Sequence, residues 1–137
     1  MTATKILCDT AGMDRRTWLA ARAHGPDGSI PITIGGSDVA AVFGISPWKT
    51  PLDLWLEKAG KLIPDESENM WQKKMGHLLE PVVAQMYAFK TGHRVIPDTY
   101  LYQHALYPWA LANVDYSMED RDTKDAGGLE CKSTTYY

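Results

Sequence analysis

The 137-residue chain contains no stretch of eighteen apolar residues, and Asp9, Asp14, Arg15 and Arg16 interrupt its N-terminus. A membrane-spanning helix and a cleavable signal peptide are therefore not expected, and the sequence predicts a soluble, cytoplasmic protein. Cysteine is scarce: Cys8 and Cys131 lie too far apart in sequence for a metal-ligand spacing, and two thiols do not make a disulfide scaffold. Cys131 falls in an apolar strand-like run, where a free thiol behaves as a small hydrophobe. Basic residues are not in excess either, with 14 Lys and Arg against 17 Asp and Glu and a formal net charge of -3. No basic surplus advertises a nucleic-acid partner. Such a partner is not excluded, because an acidic metal-binding cluster lowers the total while cations gather locally.

What is present suffices for one domain. The hydrophobic content is 45%, with five Trp and seven Tyr, enough for a core at this length. Residues 1–13 show no period and read as a flexible N-terminus, leaving 14–137 as a single domain. Trp18, Leu19 and Ala21 among Arg15, Arg16 and Arg22 suit a short helix capped by Asp14. After the turn-rich Gly25 to Ser29, the segment Ile34-Gly-Gly-Ser-Asp38 leads into Val39-Ala-Ala-Val-Phe43, a short buried helix ended by Gly44. A third helix follows Pro51 and stops at Gly60, and Ile63 to Asn69 is a polar, acidic loop. The longest periodic stretch, about Glu68 to Lys90, predicts the main helix, and Pro81, which removes a donor inside it, predicts a kink or fresh start near Glu80. Trp48, Trp55, Trp71 and Trp109 are expected in the core. Beyond Gly92, short β-branched and aromatic runs predict strands at Arg94–Pro97, Tyr100–Tyr102, Trp109–Tyr116 and Leu129–Thr135, the last two joined by a hairpin loop.

The last strand carries the chemistry. At period two, Glu130 and Lys132 share one face, and Leu129 and Cys131 the other. Across the hairpin, Asp115 closes the run Ala110-Leu-Ala-Asn-Val114, so strand pairing would bring its carboxylate near Glu130. Two carboxylates at a sheet edge repel unless a cation lies between them. Mg²⁺, held by one or two carboxylates plus water and phosphate oxygens, is the natural solution, and Lys132 adds a fixed cation. An E-x-K triplet alone would equally suit a solvated strand.

Asp115 followed about fifteen residues later by Glu130-Cys131-Lys132 resembles the D…E-x-K signature of the PD-(D/E)xK nuclease superfamily. Gly35-Gly-Ser-Asp-Val-Ala-Ala41, Pro47-Trp-Lys-Thr-Pro51, Gly76-His-Leu-Leu-Glu-Pro81 and Leu111-Ala-Asn113 resemble the YqaJ-like viral recombinase family, relatives of the phage lambda exonuclease, over roughly residues 15 to 135. The resemblance implies an α+β, restriction-endonuclease-like core with N-terminal helices, a long central helix and a mixed sheet. It also implies a chain truncated after the catalytic strand, since family members continue with further strands and a helix.

The resemblance further implies that Glu80 completes a metal site with Asp115, Glu130 and the backbone carbonyl of Cys131. That site would take Mg²⁺, with Mn²⁺ as a substitute and two ions in all, and Lys132 would be the catalytic cation. His77 is then either a metal or phosphate neighbour or a surface histidine. Trp18 and Arg22, one helical turn apart, would engage a DNA end together with Ser37, although Trp18 in the core and a snorkelling Arg22 explain the same spacing. Gly76 would let another backbone or DNA approach. Val114 and Tyr116 replace the usual Pro and Gly around the aspartate.

By resemblance, the function is a metal-dependent 5′–3′ exonuclease on linear duplex DNA, in a bacterial or phage-infected cell. Its partners would be DNA ends, a single-strand annealing recombinase and further copies of itself in a ring. The alternatives are a non-catalytic DNA-binding or regulatory protein on the same scaffold, and an endonuclease of the same superfamily.

Overall fold

The computed structural model describes residues 4–63 and 70–133. In chain order these form β1 (Lys5–Asp9), α1 (Arg15–His24), a 3₁₀ turn (Gly36–Asp38), α2 (Val39–Val42), α3 (Pro51–Lys58) and α4 (Met70–Thr91). The strands β2 (Arg94–Pro97), β3 (Tyr100–Gln103), β4 (Leu111–Ala112), β5 (Tyr116–Glu119) and β6 (Ala126–Leu129) follow. The class is α+β. The strands are divided between two three-stranded antiparallel sheets, β1-β3-β4 and β2-β5-β6, where a single mixed sheet was expected. The chain falls into two compact units, Met1–Pro64 with Tyr100–Asn113, and Asp65–Thr99 with Val114–Tyr137.

In the first unit, local chemistry sets the helix ends. The Asp14 carboxylate accepts the Thr17 amide at 2.8 Å and the Thr17 hydroxyl at 2.9 Å, satisfying a donor that the first turn of α1 leaves open. Gly25 ends α1 at φ 77°, in the left-handed region that glycine enters freely. The chain returns along α1 through Thr33, which is fully buried: its hydroxyl donates to the Arg22 carbonyl and its amide to the Ala23 carbonyl. Helix α3 begins with a reciprocal cap, in which the Asp53 amide donates to the Thr50 hydroxyl and the Thr50 amide to Asp53 Oδ2. Pro51 occupies the first turn, where no amide is needed.

The core of this unit is Ala21, Leu101 and Leu111, with Leu7 and Cys8 packed against it. The N-terminal segment therefore departs from the expectation of a flexible tail, since Lys5–Asp9 pair with β3. A bulge between Ile6 and Cys8 breaks the two-residue alternation, which is why no period is legible there. Residues 1–3 lie outside the described residues. Helix α2 also differs: Ala41 is buried but Val39 and Val42 are exposed, because a single turn presents one position inward.

In the second unit, α4 runs unbroken through Pro81 rather than restarting there. One missing amide costs one helical bond, and the rest of the 22-residue helix persists. Its expected start at Glu68 lies outside the described residues, as does most of the predicted acidic loop. The apolar stripe turns less of itself inward than expected: Ala84 is buried, while Trp71, Leu78, Val82, Met86 and Phe89 are exposed. Trp48, Trp55 and Trp109 are likewise exposed. Leucines and alanines fill the described cores, and the indoles serve other contacts, as with Lys61 Nζ 4.7 Å from the Trp55 ring centroid and Tyr107 beside Trp109.

Candidate metal and phosphate sites

Strands β5 and β6 form the hairpin on which the acidic site is built. Their register pairs Tyr116 with Leu129 and Glu119 with Ala126. The loop between them is closed by Asp120, whose Oδ1 accepts the amides of Asp122 and Thr123 at 2.8 and 2.9 Å. The strands fall elsewhere than predicted: β6 takes in Gly127 and Gly128, which were expected in the hairpin loop, and shares only Leu129 with the expected strand Leu129–Thr135. Trp109–Tyr116 splits into β4 and β5, with Asp115 at a bend just before β5, and Glu130–Ser133 continue beyond β6 without strand pairing. Thr134 and Thr135 lie outside the described residues.

The physical reason is visible at Asp115. Extending the register by one pair would set Asp115 opposite Glu130. There the ladder gives way to a side-chain bond: the Cys131 amide donates to Asp115 Oδ2 at 2.7 Å. The Asp115 carbonyl in turn accepts the Asp98 amide at 3.1 Å, and the Ser117 hydroxyl donates to the Asp98 carboxylate. Asp115 is thereby held from both sides of its bend. Glu130 and Lys132 are paired through Nζ and Oε1. Glu80, on α4, accepts from His77 Nδ1 at 3.0 Å, and the His77 side chain is 78% exposed. A side chain at Gly76 would meet nothing within 4 Å, so no described backbone packs there.

The electrostatics of this neighbourhood are acidic. Burial, then Asp115, Glu80 and Glu130, push the Cys131 thiol up. Burial raises the Tyr116 phenol, with Cys131, Glu80 and Asp115 adding to it. The Glu130 hydrogen bond raises Lys132, which remains an ammonium group. Three carboxylates thus act on one another's surroundings. Among the described residues, however, no three His, Cys, Asp or Glu side chains stand close enough together to hold a metal ion. The oxygen donors have the hardness a divalent ion such as Mg²⁺ requires; as they stand, each is committed to its own partner.

The first unit holds a separate cationic group. Arg22 lies with its guanidinium carbon 4.5 Å from the Trp18 ring centroid, and Arg15 at 5.0 Å. Arg22 Nη2 donates to Ser37 Oγ at 3.4 Å. Gly35 permits this approach, since a Cβ there would fall 3.0 Å from Nη2. Trp18 is half-buried against these arginines rather than central to the core. Because α2 is only one turn long, the candidate anion site rests on the guanidinium and the hydroxyl, with little from a helix N-terminus.

Residues 17–137 match the family model described as YqaJ-like viral recombinase domain. The chain belongs to this family. It is 34% identical over 133 residues to the uncharacterized protein YqaJ of Bacillus subtilis (strain 168), covering 97% of this chain and 38% of that protein. The chain thus spans well under half the length of the curated relative it matches. No solved structure matches it. In this YqaJ-like domain, sequence reasoning missed Asp38, Lys58 and Asp98. Asp38 stood next to the singled-out Ser37, but nothing local marks Lys58 or Asp98, whose partners come from other elements.

Proposed function

We propose that this YqaJ-like domain is a metal-dependent deoxyribonuclease acting 5′ to 3′ from the ends of linear duplex DNA, in phage-type recombination. The observation that carries the reading is the hairpin arrangement, in which the Cys131 amide is bonded to Asp115 while Glu130 and Lys132 flank Cys131. Asp115, Glu130, Glu80 and the Cys131 carbonyl would hold Mg²⁺, or Mn²⁺ in its place, as two ions. Such ions polarise a phosphodiester and lower the pKa of bound water. Holding them requires Glu130 and Glu80 to exchange their present partners for the metal. His77 is the residue that Glu80 would release. Lys132, kept charged by its acidic neighbours, would neutralise charge on the phosphate. Trp18, Arg22 and Ser37 would receive the DNA end, the guanidinium matching a terminal phosphate. A single-strand annealing recombinase and further copies of the chain in a ring would be its partners.

Glu130 and Lys132 are exposed, so truncating them should leave the fold intact. Glu130→Ala and Lys132→Ala should each abolish Mg²⁺-dependent digestion of a linear duplex, with far-UV circular dichroism unchanged. Undiminished digestion by either variant would sink the assignment. The separate partners of the three carboxylates support a second reading, a non-catalytic DNA-binding or regulatory protein. Calorimetry decides between them: no heat of binding with Mg²⁺ or Mn²⁺ favours the second.

A further inference from the structure

Asp38 and Lys58 form an ion pair at 2.9 Å, with side chains only 10% and 13% exposed. Burying two charges costs about as much as their attraction returns, so such a pair is better understood by the geometry it fixes. Asp38 fixes the turn that carries Ser37. Its Oδ2 accepts the Gly35 amide at 2.9 Å, and its own amide donates to the Gly35 carbonyl at 3.0 Å. Two bonds between Gly35 and Asp38 thus close the turn, and Lys58 ties it to the end of α3. Ser37, between these fixed points, is exposed and faces Arg22. A carboxylate one residue from a phosphate would ordinarily repel it. Here Lys58 cancels that charge, and the bonded oxygen is directed into the turn.

We propose that the Asp38–Lys58 pair is a positioning device that sets the Ser37 hydroxyl beside Arg22 so that both address one terminal phosphate of DNA. This rests on the reading of Arg22 and Ser37 given above. Asp38 and Lys58 do not touch the phosphate; they act through Gly35 and Ser37.

The test measures binding of the full chain to fluorescent duplexes bearing either a 5′-phosphate or a 5′-hydroxyl, with chelator present so that no digestion occurs. The wild type should prefer the phosphorylated end about tenfold, the equivalent of one charge-assisted hydrogen bond. Asp38→Ala and Lys58→Met should bring the two affinities together at a temperature where circular dichroism shows folded protein. Lys58→Arg, which keeps the pair, should keep the preference. If Asp38→Ala does not fold, the contrast between Lys58→Met and Lys58→Arg decides alone. A merely structural pair would lower the melting temperature of Lys58→Met and leave the preference unchanged, and that result overturns the proposal. Equal wild-type binding to both ends overturns the phosphate reading and the proposal with it. Loss of Mg²⁺-dependent digestion would bear on the nuclease assignment and leave this binding result standing.

Discussion

Asp115 does two things with one side chain. Its Oδ2 terminates the β5–β6 ladder by accepting the Cys131 amide, and its charge contributes to the acidic field around Cys131 and Tyr116. The two roles can be separated by substitution. Asp115→Asn keeps an oxygen acceptor and removes the charge, so urea unfolding should stay close to wild type while Mg²⁺ binding by calorimetry is lost. Asp115→Ala removes both and leaves a part-buried amide unpaired, which should cost about 1–3 kcal/mol of stability. Equal destabilisation by the two variants would show that the charge of Asp115, and not merely an oxygen acceptor at this position, holds the Cys131 amide. Asp115 and the Glu130–Lys132 pair were legible from spacing. The Asp98 amide behind Asp115 was not, because the contact joins the end of β2 to the bend before β5, seventeen positions on.

The helices of the first unit begin where short-range chemistry starts them. Asp14 on α1 and Asp53 on α3 both sit below the usual carboxylate range: Asp14 through the Thr17 amide and then its hydroxyl, Asp53 through the Thr50 hydroxyl and then its amide. A depressed folded-state pKa means that stabilisation is fully present above the unfolded value, about 3.9, and is lost as pH falls through the folded one. Helix content in far-UV circular dichroism should therefore be flat from neutral pH down to about pH 5 and should decline below about pH 4. In Asp14→Asn, which keeps the acceptor without titrating, that decline should be shallower. A decline already complete at pH 5 would implicate other groups. Helix α4 teaches the opposite lesson. Its periodicity identified a helix but not which face is covered, since Ala84 turns inward and Phe89 is 94% exposed. Period is a property of the segment, whereas burial depends on what packs against it.

At the scale of the molecule, both units are assembled from distant parts of the chain, and β1 finds its partner β3 more than ninety positions away. The curated relative is much longer than this chain, which covers 38% of its length. End dependence can be tested on the chain itself. In Mg²⁺, linear duplex DNA should be degraded while a covalently closed circle of the same sequence survives, because an exonuclease has no place to start on it. Degradation of the closed circle would replace the exonuclease with an endonuclease on the same hairpin.

The sequence by itself determined the helix start at Asp14, the breaks at Gly25 and Gly60, a third helix after Pro51, the hairpin between Asp115 and Glu130, and the family. Each depends on residues a few positions apart or on motifs in a fixed order. Tertiary structure decided that Lys5–Asp9 is a strand, that pairing ends at Leu129, and that Asp38 is buried on Lys58. Those outcomes depend on which segments meet across the chain. It also gave the three carboxylates separate partners, Cys131, Lys132 and His77, because each lies on a different segment with its own donor within reach. The E-x-K strand of the sequence thus became an irregular segment held in place by an aspartate across the hairpin.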